Sequence, residues 1–299
     1  MKIQPWQLQQ RQGQPLEFKE AMTATRIKNF YQKLDGEVYI SFSGGKDSTV
    51  LLNLVRRIYP DVPAVFVDTG LEYPEIREFV KTIDNVIWLK PKMPFNQVIQ
   101  KYGYPVISKE TAGKIHEIRN TKSEFLLNKR LYGDEKGNGK ISEKWKFLID
   151  APFLISDKCC HVMKKEPVKR YEKTTGKSPM VGTMASDSRL RKTSYLKNGC
   201  NSFNGRAMST PMSFWLERDV WDYLRKYSIP YCKIYDMGYE RTGCMFCMFG
   251  LHLDKKCRFE RMKKTHPQQY KYCMEKLGLS KVIEFCGFKP EKNLFNFDK

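Results

Sequence analysis

Residues 17–34 (EFKEAMTATRIKNFYQKL) set apolar side chains among charged ones at helical spacing, which predicts an amphipathic helix ahead of the first strand. The pattern then changes. Glu37 to Phe42 (EVYISF) is short, apolar and rich in β-formers, and SGGKDS follows without a gap. Val50, Leu51, Leu54, Val55 and Ile58 then repeat at helical spacing until Pro60. This reads as strand, glycine loop, helix. Ala64 to Val67 (AVFV) predicts a second buried strand ending at Asp68, Thr69 and Gly70, Pro74 opens another helix, and Val86 to Leu89 (VIWL) makes a third strand. Strands alternating with helices predict an α/β fold, a mostly parallel twisted sheet with helices on both faces.

Residues 103–150 are more polar, with a helix after Ser108 and a glycine-rich turn at GDEKGNGK, and read as an insertion. The sheet resumes beyond it: KKEPVKRYEK is helix-like, PMVGT is a fourth strand, and the loop ASDSRLRKTS follows. From Pro211 onward, Val220, Trp221 and Leu224 mark an amphipathic helix before a CxxC segment, and Thr265 with Gln268 forms a capping-box pattern for a final helix. The expected organisation is a helical segment over 1–34, an α/β domain over 35–210 and a helical, cysteine-containing segment over 211–299. No internal repeat or low-complexity tract interrupts it.

Charge narrows the partners. The net charge is +20, most of it in residues 151–299, so the expected ligands are anions, either small and phosphorylated or polymeric like nucleic acid. No stretch approaches the roughly 20 apolar residues of a spanning helix. The N-terminus also lacks the apolar run of a secretory signal, so the expectation is a cytoplasmic chain with no membrane partner. The nine cysteines form a poor disulfide framework, being odd in number, with Cys159 and Cys160 adjacent and Cys244 and Cys247 in a CxxC. In a reducing compartment such clustered thiols bind metal or do redox chemistry, while Cys200, Cys232 and Cys273 read as packing residues.

Ser43, Gly44, Gly45, Lys46, Asp47 and Ser48 carry the sharpest chemistry. Two glycines let the backbone turn so that successive amides point at one spot in front of a helix N-terminus, where the helix dipole, two hydroxyls and the Lys46 ammonium favour a phosphate-like group. Asp47 stands where a P-loop needs Ser or Thr, so this is a different phosphate loop. The reading requires that the groups between Ser43 and Ser48 be free to cup an anion.

SGGKDS after a strand resembles the PP-loop of the adenine nucleotide α-hydrolase-like superfamily. DTGLEYPE at Asp68 to Glu75 resembles the second-strand motif of its phosphoadenosine phosphosulfate reductase branch. CCHVMKKEP from Cys159, GTMASDSRLR from Gly182, and FWLERDVWDYL followed by YERTGCMFC resemble that branch's cysteine-pair, arginine-loop and C-terminal segments. The shared order covers roughly residues 35–250. The resemblance implies an adenine nucleotide at the C-terminal edge of the sheet: adenylyl sulfate, its 3′-phosphorylated form, or ATP with Mg. It further implies that Ser43 to Ser48 take the phosphate or phosphosulfate, that Asp68, Thr69 and Gly70 line the rim, and that Arg189 and Arg191 close on the anion. Lys46 would then also act in catalysis.

Cys159, Cys160, Cys244 and Cys247 resemble the two-pair arrangement of cluster-containing adenylyl-sulfate reductases, which implies a [4Fe-4S] cluster. Zinc on the same thiolates is the competing metal, and Cys257 is a substitute for either member of the adjacent pair. Lone His161 and His252 read as structural. Family chemistry implies a nucleophilic cysteine that attacks the sulfur of the nucleotide and a thiol donor such as thioredoxin that releases sulfite; the nearest match to the family's tail is Cys286 in EFCG. Two other functions use the same loop: ATP-dependent thiolation of tRNA or DNA, with Trp145 and Tyr195 as exposed aromatics on a basic surface, and nucleotide binding without turnover.

Overall fold

The computed structural model describes residues 3–254 and 257–288. Its strands are β1 (Val38–Ser41), β2 (Ala64–Val67), β3 (Val86–Leu89), β4 (Val106–Ile107), β5 (Ser178–Val181), β6 (Asn201–Ser202), β7 (Met208–Ser209) and β8 (Met248–Phe249). Six of them form one sheet in the order β3-β2-β1-β5-β7-β6, and β4 pairs with β8 separately. Every pairing in the large sheet is parallel except β6 with β7. At its centre Ile40 lies opposite Ala64 on one side and Met180 on the other. Val38, Tyr39 and Ile40 are all buried, although successive strand residues point to opposite faces, so both faces of β1 are covered. The mostly parallel α/β expectation holds.

The chain divides into two compact units that interleave along the sequence. The first comprises Met1–Asp68, Glu72–Lys90 and Pro167–Thr242; the second comprises Thr69–Leu71, Pro91–Glu166 and Gly243–Lys299. The large sheet belongs to the first unit. There the helix Lys46–Arg56 buries Val50, Leu51, Leu54 and Val55, the row that the sequence spacing marks. The expected N-terminal helix runs Leu16–Lys33 and is tied to the helix Glu217–Lys226 by a buried ion pair, Lys19 Nζ to Asp219 Oδ2 at 2.6 Å. Trp215 Nε1 adds a hydrogen bond of 2.9 Å to Thr23 Oγ1.

The second unit contains the polar segment 103–150. Its helix Lys109–Asn120 starts where expected, with the Ser108 hydroxyl accepting from the Thr111 amide. Arg119 then donates to the carbonyls of Leu148, Ile149, Ala151 and Phe153, which fastens the following turns.

Two expectations are corrected. Thr265 caps no final helix: it ends the helix Arg258–Thr265 and its hydroxyl donates back to the Arg261 carbonyl. The break falls at His266 because Pro267, which opens the next helix, disfavours helical backbone in the residue before it. Trp145 and Tyr195 are buried rather than exposed: Trp145 packs near Phe147, His252 and Phe288, and the Tyr195 hydroxyl accepts from Arg11 at 2.7 Å. Among the described residues no helix is long and apolar enough to cross a membrane.

Candidate functional site

Strand order places the loop. β1 continues on one side to β2 and β3 and on the other to β5, so the topology reverses between β1 and β5, and a crevice at such a point opens beyond the carboxyl ends of the strands. Ser43 to Ser48 follow β1 there. Asp68 follows β2, and the turn Ala185–Asp187 follows β5, at the same edge.

Within the loop, Gly44 adopts φ +71°, and a Cβ on it would sit 2.9 Å from Ile76 and Val80, so only glycine fits. The Ser48 hydroxyl donates to the Gly45 carbonyl at 2.9 Å and accepts from the Ser43 amide at 3.2 Å, while the Ser43 and Ser48 hydroxyls lie 3.1 Å apart. The Gly45 amide donates to Ser43 Oγ at 3.4 Å. The Lys46 amide, first in its helix, donates to the Tyr235 hydroxyl at 2.9 Å. The requirement of an open loop is therefore met in part. Three of its amides have protein partners; those of Gly44, Asp47 and Ser48 have no protein acceptor among the described residues.

Lys46 is buried and turned inward. Its ammonium lies 3.2 Å from Glu217 and 3.4 Å from Asp47, and 5.6 Å from the centre of the Tyr235 ring. Burial works against its charge, but Asp47, Tyr235 and Glu217 outweigh it and raise the pKa. For Asp47, burial and the nearby carboxylates of Asp187 and Glu217 raise the pKa against the pull of Lys46, and its Oδ1 is buried with no hydrogen bond.

Asp68 is buried and accepts from Arg77 Nη2 at 2.9 Å. Arg191 pairs with Asp187 on its own turn, and Arg189 is exposed at the start of the helix Arg189–Asn198. Thr69 and Gly70 fall in the second unit, where the Thr69 hydroxyl accepts from the Leu71 amide.

The second unit also gathers the four cysteines. Cys159 and Cys160 end a short helix that passes into the π-helical turn His161–Lys165, and the Cys247 amide closes the CxxC on the Cys244 carbonyl at 3.1 Å. Their charges sense one another. Hydrogen bonding to Cys160, burial, and the charges of Cys160, Cys244 and Cys247 push Cys159 up; the hydrogen bond from Cys159, with Lys109 and Lys164, pulls Cys160 down. Burial raises Cys247. Among the described residues no group of three or more His, Cys, Asp or Glu side chains forms a single-ion site. Cys257 is buried, with Glu260 and Asp254 as its strongest charged neighbours. His161 is exposed, and His252 leaves a buried Nδ1 without a hydrogen bond.

Cys286 lies in the second unit. It caps the helix Leu279–Phe285, is buried, and burial pushes its thiol up to about 12, so it is protonated near neutral pH. Cys200, Cys232 and Cys273 are buried, as a packing role requires.

Sequence reasoning missed Tyr235, Glu217 and Thr242, which close on the loop from residues far along the chain and follow no spacing rule. Lys164 was findable, since it lies four residues after Cys160 in the motif already singled out.

At 26% identity the chain matches an uncharacterised protein of Methanocaldococcus jannaschii, covering 93% of this chain and 56% of the relative, so it spans about half that relative's length. It is 28% identical to an adenosine 5′-phosphosulfate reductase of Geobacillus kaustophilus over 73% of this chain and 75% of that one. A solved phosphoadenylyl-sulfate reductase of Candida auris is similar at 18% identity and a TM-score of 0.41, covering 70% of this chain and 81% of that one. The phosphoadenosine phosphosulfate reductase domain matches residues 37–121 and 109–249, from the first strand through the CxxC, and the chain belongs to that family.

Proposed function

We propose that this chain is an adenylyl-sulfate or phosphoadenylyl-sulfate reductase-type enzyme, which binds an adenine nucleotide at Ser43 to Ser48 and reduces the sulfur the nucleotide carries. The observation that carries the reading is the glycine loop with an inward lysine at the point where the sheet order reverses. The chemistry is taken from relatives named adenosine 5′-phosphosulfate reductase. Amides and hydroxyls of the loop would take the anion's oxygens, Lys46 would neutralise it, and Arg189 and Arg191 would close on it after Arg191 exchanges Asp187 for the ligand.

Cys159, Cys160, Cys244 and Cys247 would hold the metal. Two pairs of soft thiols, one pair adjacent in sequence, suit a [4Fe-4S] cluster, with one tetrahedral zinc as the competing metal. A cluster bound there would supply redox-active iron, and Lys109 and Lys164 would offset negative charge on the thiolates that hold it. In the reaction a thiolate bonds to the sulfur as the bond from sulfur to the nucleotide's phosphate oxygen breaks, releasing the adenine nucleotide. A second thiol from a thioredoxin-like donor then attacks the first, which releases sulfite and leaves a disulfide. Cys286 enters this scheme only if its helix end opens, because a buried, protonated thiol does not attack. A cytoplasmic setting would keep these thiols reduced.

The carboxylates favour a second reading. Asp47 and Glu217 pair with Lys46, and Asp187 adds negative charge near Asp47, a setting that suits a nucleotide arriving with Mg, hence ATP and sulfur transfer to tRNA or DNA. The protein, purified without oxygen, is incubated with adenylyl sulfate, its 3′-phosphorylated form or ATP, with a thiol donor and with or without nucleic acid. Sulfite from either sulfate ester supports the first reading; ATP consumption only with tRNA or DNA replaces it with the second; nucleotide binding without product leaves a binding protein. Iron content and absorbance near ~400 nm report the cluster separately from turnover.

A further inference from the structure

The Tyr235 hydroxyl occupies one of the positions that the loop would offer to an anion. It accepts from the Lys46 amide at 2.9 Å, the first amide of the helix Lys46–Arg56, where the dipole and the unpaired N–H groups favour an oxygen with negative charge. A Cβ on Gly45 would meet this same hydroxyl at 3.2 Å and Thr242 Oγ1 at 2.7 Å, so the residues around 235–242 press directly on the loop. The ring is braced: Trp221 and Tyr231 meet it edge-on at 5.5 and 6.3 Å, and the Lys46 ammonium lies over it. A phenol oxygen carries only a partial charge, whereas a phosphate or sulfate oxygen carries a full one, and charge-assisted hydrogen bonds are roughly twice as strong as neutral ones.

We propose that Tyr235 is a specificity-determining residue of the nucleotide site, a tethered stand-in for an anion oxygen that a phosphate or sulfate must displace from the Lys46 amide, so that it moderates the site's preference for charged over neutral ligands. The inference rests on the nucleotide-binding reading above and deepens it. A nucleotide must displace the hydroxyl before it gains that amide, so every anionic ligand binds more weakly by the value of the hydrogen bond exchanged. A neutral nucleoside, which does not reach for the amide, is indifferent to it. Loss of the hydroxyl therefore favours charged ligands selectively.

The test is Tyr235→Phe, which keeps the ring and its contacts with Trp221, Tyr231 and Lys46, with dissociation constants measured by calorimetry for AMP, ATP, adenylyl sulfate and adenosine. The three anions are expected to bind about two- to tenfold more tightly to the variant, the equivalent of one net hydrogen bond, with adenosine unchanged. A matching thermal melt verifies that the variant is folded, and Tyr235→Trp, which keeps an aromatic ring without the hydroxyl, repeats the comparison if the first variant melts early. Weaker or unchanged binding of the anions overturns the inference while leaving nucleotide binding intact. An equal gain for adenosine overturns it too, because that result means general loosening. Failure of both wild type and variant to bind any of the nucleotides overturns the nucleotide reading itself, and the inference with it.

Discussion

Replacing Lys46 by methionine removes the loop's buried cation while keeping most of its apolar stem. In the free protein the ammonium is held by Glu217 at 3.2 Å and Asp47 at 3.4 Å. Glu217 is 63% exposed, so that pair is screened by water and contributes little, and exchanging it for a ligand phosphate costs little. A charge-assisted hydrogen bond to the anion contributes about 1.5–3 kcal/mol net, so Lys46→Met should weaken AMP and adenylyl sulfate by about ten- to a hundredfold. Adenosine, lacking the anion, should be unaffected. The same substitution strips Asp47 of its main counter-charge while Asp187 and Glu217 remain nearby and its buried Oδ1 has no hydrogen bond. The variant should therefore melt lower than wild type at neutral pH. The gap should narrow in mild acid, where the raised pKa of Asp47 lets it take a proton early. Calorimetry for binding and thermal melts at two pH values decide the matter. AMP affinity within twofold of wild type in a folded variant would refute the assignment of this loop as the anion site.

Gly182→Ala should disturb the loop from behind: its Cβ would lie 2.8 Å from the Asp47 carbonyl oxygen and 3.3 Å from Ser48 Cα, both backbone. Such overpacking costs about 1–3 kcal/mol, read by urea unfolding, and AMP affinity should fall with it; unchanged stability and affinity would mean the strand end does not brace the loop. Stability should also fall at high pH. Burial lifts Cys200 and Cys232 to about 11 and Cys286 to about 12, above their ordinary 9.0, so the unfolded chain releases these protons first. Their contribution is complete below pH ~9 and disappears as pH rises through the folded values; a urea midpoint that holds or rises from pH 9 to 11 would contradict the burial of these thiols.

What the sequence disclosed and what it withheld follow from the range of each interaction. β1, its glycine loop and the helix after it were legible because a short continuous apolar run gives way to a period of 3.6 across a few residues, and every residue that decides the switch lies inside that window. Ser108 as a helix cap was legible for the same reason. The buried pair of Lys19 and Asp219, 200 residues apart, was not: a lone lysine on an amphipathic helix reads as solvated until its partner is known. Trp145 and Tyr195 were misread as exposed because their sequence neighbours are charged, while what covers them comes from elsewhere.

The loop itself divides along that line. Its own residues supply the turn, the hydroxyls and the cation, and local sequence announces all three. Its own serines occupy the Ser43 and Gly45 amides, but whether the Lys46 amide is vacant is decided by Tyr235, 189 residues further on, and no local pattern carries that information. Motif reading therefore finds a phosphate loop and overstates how open it is. The correction matters for function, because a loop whose helix N-terminus is already hydrogen-bonded in the free protein gains less from each ligand than an empty one. Its discrimination between charged and neutral ligands then depends on the resident group as much as on the glycines, serines and lysine of the motif.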